Sequence, residues 1–351
     1  MIQAIIDIGS NSIRLAVYKV EKAHGFTALL NKKETAGLAG YIKKGAMSVE
    51  GIDTACQVLT EFKYFLANFK IHRIAAFATA ALRNISNSAE AVAEIETRTG
   101  LSIRVLSGQE EAALDFAGAT KEVALQDGLL IDIGGASTEI VLYENFTIRE
   151  AISLPIGSLN AARQYVHALL PNKEERKQIK EAVLAELAHF PDVQKAKKPV
   201  VCGIGGSIRA AGKLNAYLFN IADGQMEIKV PNVKKIIKLL ENDQGDDLIP
   251  SDTLQILLKT VPDRVETILP GLIILHTLIR YFKAEVIRIS TSGVREGYLR
   301  QYILGEAVLS PAAQAGKDRA ENQETDALTA DLPADEKKTL PVIEGEEDET
   351  A

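Results

Sequence analysis

One short pattern occurs twice in this chain, and it narrows the fold more than any other feature. Ile6-Asp7-Ile8-Gly9 returns as Ile131-Asp132-Ile133-Gly134, an offset of 125 residues. At that offset Ser12 meets Ser137 and Tyr18 meets Tyr143, giving six identities in 13 positions. Each copy reads as an apolar strand, a turn of small polar residues and a second apolar strand, Ala4–Ile8 with Ile13–Val20 and Gly128–Ile133 with Thr138–Tyr143. Matching strands around matching turns predict an internal duplication, with the two turns facing one cleft.

Between and after the repeats, strands alternate with helices. Ser48 is placed to cap a helix running from Gly51 to Phe69 with apolar residues at helical spacing. A strand over Arg73–Ala78, a helix from Ala89 to Thr99 stopped by Gly100, a strand over Ile103–Leu106 and a helix starting at Gly108 follow. In the second half the strand Pro199–Cys202 runs into a third glycine turn, Gly203-Ile204-Gly205-Gly206-Ser207, and then a helix. Helices over Lys234–Leu240, Leu254–Leu258 and Leu269–Phe282, a strand over Glu285–Ser290 and a closing helix over Val294–Ile303 complete the reading. Apolar strands alternating with helices predict an α/β layered fold.

At 351 residues the chain is long enough for two domains. Predicted boundaries are 1–122, 123–304 and a tail over 305–351. The longest apolar stretch, Ile268 to Phe282, contains Pro270, His276 and Arg280 and reads as a buried helix rather than a membrane span. No signal-peptide pattern opens the chain, and only Cys56 and Cys202 are present, which fits a cytoplasmic protein without disulfides. The five histidines show no ligand spacing. The net charge of -7 resides in the end of the chain: Glu306–Ala351 holds 13 acidic and 4 basic residues, leaving 36 basic against 34 acidic before it. That tail lacks aromatics and is expected to be disordered and acidic.

Three tight glycine turns offer converging backbone N–H groups, the usual means of holding phosphate. Asp7 and Asp132 end apolar strands, where an ionised carboxylate is costly unless it caps its turn or faces a hydrated cation. Two such residues across one cleft favour the cation, and Mg²⁺ suits few carboxylates and many waters. Glu110 and Glu111 stand at a predicted helix start, where the dipole alone accounts for acids, and a catalytic base is the other reading. Glu139 and Arg14 occupy equivalent positions of the two hairpins. Arg83, after Phe77-Ala78-Thr79-Ala80-Ala81-Leu82, is either a phosphate clamp or a solvated arginine.

Taken in order, Ile6-Asp7-Ile8-Gly9-Ser10-Asn11-Ser12, Ala78-Thr79-Ala80-Ala81-Leu82-Arg83, Ser107-Gly108-Gln109-Glu110-Glu111-Ala112 and Ile131-Asp132-Ile133-Gly134-Gly135-Ala136-Ser137-Thr138-Glu139 resemble the exopolyphosphatase / guanosine pentaphosphate phosphohydrolase (Ppx/GppA) family. Ser153-Leu154-Pro155-Ile156-Gly157, Gly203-Ile204-Gly205-Gly206-Ser207-Ile208-Arg209 and Ser292-Gly293-Val294-Arg295-Glu296-Gly297 extend the match across about residues 1–303. The resemblance implies two duplicated actin-like ATPase (ribonuclease H-like) domains around a central cleft, with the last helix packing back on the first domain. It implies Glu111 as the base that activates water, and Asp7, Asp132 and Glu139 as holders of Mg²⁺ or its waters. Gly9, Ser10, Asn11, Ser12, Arg14, Arg83, Gly134, Gly135, Ala136, Ser137, Gly205, Gly206, Ser207 and Arg264 would then bind the phosphates.

The substrates implied are inorganic polyphosphate, shortened from its end to release orthophosphate, and pppGpp, converted to ppGpp in the stringent response. The resemblance also implies a homodimer; neither DNA nor a membrane is an expected partner. Ala136 stands where the family usually has a third glycine, so an altered phosphate fit is expected. The chain also stops short of the extra helical domains of longer members. Two other readings stand beside the hydrolase: a non-catalytic sensor of (p)ppGpp or polyphosphate, and a small-molecule kinase of the same superfamily.

Overall fold

The computed structural model describes residues 1–21, 25–123, 126–194, 198–222, 224, 226–241 and 250–306. The expected acidic tail lies outside them, apart from Gly305 and Glu306. The described residues form one compact unit.

The first stretch comprises β1 (Ile2–Ile8), β2 (Ile13–Glu21), β3 (Gly25–Glu34), a small hairpin of β4 (Ile42–Lys43) and β5 (Ala46–Met47), α1 (Val49–Asn68), β6 (Ile74–Ala78), α2 (Ala80–Arg83), α3 (Ser88–Thr99), β7 (Ile103–Val105) and α4 (Gly108–Val123). The second comprises β8 (Gly128–Ile133), β9 (Thr138–Glu144), β10 (Thr147–Leu154), α5 (Ser158–Tyr165), α6 (Lys173–Leu187), α7 (Pro191–Gln194), β11 (Val200–Ile204), α8 (Gly205–Phe219), β12 (Glu227–Lys229), α9 (Val230–Leu240), α10 (Ser251–Thr260), α11 (Ile268–Tyr281), β13 (Val286–Ile289) and α12 (Val294–Tyr298), continued by a π-helical turn over Leu299–Ile303.

The strands form two sheets of the same plan. The first runs β3-β2-β1-β6-β7 and the second β10-β9-β8-β11-β13, with β12 added at its edge. In each, the hairpin strands pair antiparallel and the later strands β6, β7, β11 and β13 join in parallel, while the added β12 pairs antiparallel with β13. Register repeats too: Asp7 faces Arg14 across its hairpin, and Asp132 faces Glu139 across the other. The strand-end predictions therefore hold to within two residues at both hairpins. The edge strands β3 and β10 were not foreseen.

Ser48 caps α1 by accepting from the Gly51 N–H, and Gly100 ends α3 in the left-handed region at φ 63°. The apolar face of α1 buries Leu59, Phe62 and Leu66 against Ile6, Ile8 and Leu15. The stretch flagged for its hydropathy is α11, buried with Ile179, Val183 and Leu214 in the largest core. No helix among the described residues is long and apolar enough to cross a membrane.

Two helices are exchanged between the sheets. Ala112, Phe116 and Ala119 of α4 pack on Leu130, Val141 and Tyr143 of the second sheet. Tyr298, at the end of α12, and Leu299, in the following π-helical turn, pack on Ile5, Tyr18 and Phe77 of the first, with Phe77 and Tyr298 stacked at 5.0 Å. The helices α4 and α12 touch backbone to backbone: a Cβ on Gly297 would lie 1.8 Å from the Leu114 carbonyl oxygen, and one on Gly118 2.2 Å from that of Gly293. Overpacking at such a contact costs about 1–3 kcal/mol. Gly297→Ala is therefore expected to lower the thermal midpoint by several degrees, which a melting curve checks; an unchanged curve would mean the crossing relaxes freely.

Candidate active site

Both hairpin turns are closed by the same bond. Gly9 N–H donates to the Ser12 carbonyl (3.2 Å) and Gly134 N–H to the Ser137 carbonyl (3.0 Å). Neighbouring segments hold the turns through their carbonyls: Gly37 and Ala39 N–H reach Asn11 and Ser10, while Ser158 and Leu159 N–H reach Gly134 and Gly135. Among the described residues, the N–H groups of Ser10, Asn11, Ser12, Gly135, Ala136 and Ser137 donate to nothing in the protein. The turns face each other closely: a Cβ on Gly135 would sit 3.3 Å from Ser10 Cβ and 3.6 Å from Asn11 N. Free N–H groups converging from two sides make an anion cradle. Ala136 has no left-handed φ, so its methyl strains no backbone.

Between the turns lies a cavity of about 120 Å³ whose wall includes Asp7, Glu111, Asp132, Arg14 and Arg264. The third glycine turn adds the N-terminus of α8, where Gly205 and Gly206 line the cavity. Ser207 does not; it packs toward Gly271, its hydroxyl buried without a partner among the described residues. An added Cβ on Gly206 would lie 1.9 Å from the Arg264 guanidinium, so a larger residue there would have to push that flexible side chain aside.

Asp7 and Asp132 are part-buried on the cavity wall, and among the described residues neither is in an ion pair. Burial raises the pKa of both carboxyls; Arg14 opposes this at Asp7, and Arg209 then Arg14 at Asp132. A cation would relieve that cost. No three His, Cys, Asp or Glu side chains among the described residues form a metal cage. Two carboxylates beside free phosphate donors instead suit a cation that keeps most of its waters, as Mg²⁺ does. Glu139 is placed differently: it is 1% exposed, accepts from the Ser153 hydroxyl (2.7 Å) and stands behind the cavity wall.

The two adjacent glutamates at the start of α4 separate cleanly. Glu110 closes a reciprocal cap, its carboxylate accepting from Ser107 N–H (2.8 Å) while Ser107 Oγ accepts from Glu110 N–H (3.1 Å). Glu110 also pairs with Arg104 at 2.7 Å. Glu111 points into the cavity and receives Arg83 Nη1 at 2.6 Å. Burial pushes the Glu111 carboxyl up to about 7, against the lowering pull of Arg83. Arg83 in turn reaches the Leu106 carbonyl (3.2 Å) and lies 3.7 Å from Glu139. To clamp phosphate it would have to exchange these partners.

A profile of the Ppx/GppA phosphatase family matches residues 16–306. The chain belongs to that family. The Ppx/GppA protein of Aquifex aeolicus shares 27% identity and a TM-score of 0.67, covering 87% of this chain and 98% of that one. A crystal structure of an exopolyphosphatase from Cytophaga hutchinsonii has the same fold at a TM-score of 0.76 and 22% identity, over 88% and 99% of the two chains. Exopolyphosphatase 1 of Mycobacterium tuberculosis is 23% identical over 310 residues, 86% of this chain and 88% of its own.

Set in this Ppx/GppA fold, several polar groups of the cleft were not singled out by sequence reasoning. Arg209 and Arg295 line the cavity beside Arg14 and Arg264. Burial, then the nearby Arg14 charge, lowers Arg209 to about 10, as expected where cations crowd together. Glu296 caps α12 at Gly293 N–H (2.9 Å) and accepts from Tyr18 OH (2.6 Å). Asp115, one helical turn beyond Glu111, is 1% exposed, and burial, then the Asp132 and Glu111 carboxylates, push its carboxyl well above the usual range. An acid among Ala112, Leu114 and Phe116 at that spacing was the available signal.

Proposed function

We propose that this protein is an exopolyphosphatase that releases orthophosphate from the end of inorganic polyphosphate, with pppGpp as a second substrate class. The observation that carries the reading is Glu111: a part-buried carboxylate poised near neutrality, beside free phosphate-binding N–H groups and a cluster of arginines. Relatives named exopolyphosphatase, covering most of this chain, support the same substrate.

In the reaction, the terminal phosphoryl group lies between the Gly9 and Gly134 turns. Glu111 accepts a proton from water as the water oxygen bonds to phosphorus and the phosphoanhydride P–O bond breaks. The shortened chain leaves as an oxyanion, its charge met by Arg14, Arg209 and Arg264. Asp7 and Asp132 would hold Mg²⁺, which when bound neutralises phosphate charge. Glu139 supports from behind by fixing Arg83 and so aiming Glu111. The two like sheets around the cleft represent a duplicated domain, divided near residue 122, and a homodimer remains the state implied by the family.

A purified-protein assay with Mg²⁺ on long polyphosphate, tripolyphosphate and pppGpp tests the reading. Orthophosphate release from the polyphosphates is expected; binding without any release would favour a sensor. The pH profile is a second test. Glu111 works as a base only when ionised, so kcat/KM should rise with pH and level off above about 7. A profile flat through that region would remove Glu111 from the role.

A further inference from the structure

Beyond the cavity, the cleft continues as a groove of about 240 Å³ that shares Arg14, Gly206, Arg209 and Arg264 with it. Lys33 and Lys213 add to the cations of this groove, and the one carboxylate of its described lining is Asp263. Asp263 does not pair with the arginine next to it. Its Oδ2 lies 2.5 Å from Lys33 Nζ, joining the turn Pro262–Arg264 of the second stretch to β3 of the first, 230 residues apart. Partial burial opposes ionisation of Asp263, but Lys33 and Arg264 hold its carboxyl below the usual range. Lys33 and Asp263 remain accessible, at 32% and 50% exposure, so an incoming anion can reach them.

We propose that the Lys33–Asp263 pair is a latch across the cleft that substrate opens, with Asp263 standing in for a phosphate of a long polyphosphate chain. The inference rests on the polyphosphate reading and adds a length-selecting element to it. On this proposal a short chain held at the Gly9 and Gly134 turns is met by the shared arginines and leaves Lys33, the register partner of Arg14, on Asp263. A long chain passes the shared arginines, enters the groove and takes Lys33 from Asp263. The carboxylate then faces a polyanion and must swing away. Asp263 thus sets a threshold that only chains with several phosphates in the groove overcome, by supplying more charge than one carboxylate.

Direct binding of long-chain polyphosphate and of tripolyphosphate to the full chain tests this, using wild type, Asp263→Asn, Lys33→Gln and the double variant. Asp263→Asn should tighten long-chain binding about fivefold, the upper range for an exposed pair, and tripolyphosphate binding less. Lys33→Gln should weaken long-chain binding, and in that background the gain from Asp263→Asn should shrink, a coupling that general charge removal does not produce. Equal effects on the two lengths, or additive effects of the two substitutions, would overturn the latch. Orthophosphate release is measured in parallel. Failure of wild type to hydrolyse, with the binding pattern intact, would overturn the hydrolase reading and leave the latch standing.

Discussion

Glu111→Gln should lower orthophosphate release by about 100- to 10,000-fold while polyphosphate binding is retained, the range expected when a general base is removed. The isosteric amide keeps the shape of the site. It still offers an oxygen to Arg83, which lies 2.6 Å from the present carboxylate, but it cannot take a proton from water. Folding is not expected to fail. A carboxyl raised from 4.5 to about 7 binds its proton more readily in the folded protein. Its contribution to stability is therefore present at low pH and lost as pH rises toward about 7. At neutral pH the amide removes that burial cost, offsetting the weaker partner left for Arg83. Initial rates with saturating Mg²⁺, beside a binding titration, give the answer. A variant with nearly full turnover would take the base away from Glu111; loss of binding and turnover together would make it a binding residue.

Gly205→Ala should be nearly as damaging to activity, by another route. Gly205 has φ +87°, where an L residue is strained, and an added Cβ would fall 2.0 Å from Asp132 Oδ1 and 2.9 Å from the Ile133 carbonyl oxygen. Neither neighbour can yield without moving β8 or the carboxylate assigned to the cation. Strain and overpacking together should cost about 2–5 kcal/mol. Displacing Asp132 by an ångström should lower turnover about 100-fold. Gly206→Ala is the informative contrast. There the added methyl meets only the tip of Arg264, at 1.9 Å, and a flexible guanidinium can swing aside. That variant should keep its melting temperature and show a raised KM. If Gly205→Ala matched wild type in both melting and turnover, the close packing of α8 on Asp132 would have no functional weight.

The parts of the fold legible in sequence were those with a strong local signature. The two hairpins could be found because apolar strands flank turns of small residues and the pattern repeats. β3 escaped notice because Phe26, Leu29 and Leu30 do not fall on alternate positions and Lys32, Lys33 and Glu34 end it as a half-exposed, polar edge. Within the site, Ser107-Gly108-Gln109-Glu110 already had the form of a capping box, which assigns Glu110 to the helix end. That leaves Glu111 unexplained by local structure, yet its aim into the cavity depends on α4 lying against the second sheet, a tertiary fact. Arg209 and Arg295 belonged to recognised motifs, but their convergence on Arg14 arises from strands and helices far apart in the chain. Glu139 and Arg14 show the limit of the repeat as a guide. Equivalent in register, one is buried behind Glu111 and the other opens onto the substrate cleft.

The central claim is that Glu111 activates water against a terminal phosphoanhydride. It is tested most directly by hydrolysing polyphosphate with Mg²⁺ in water enriched in heavy oxygen, without ATP or an acceptor, and weighing the released orthophosphate. One solvent oxygen per orthophosphate is expected, with the signal nearly lost in Glu111→Gln. Orthophosphate without solvent oxygen, release that persists in Glu111→Gln, or no release at all would contradict it.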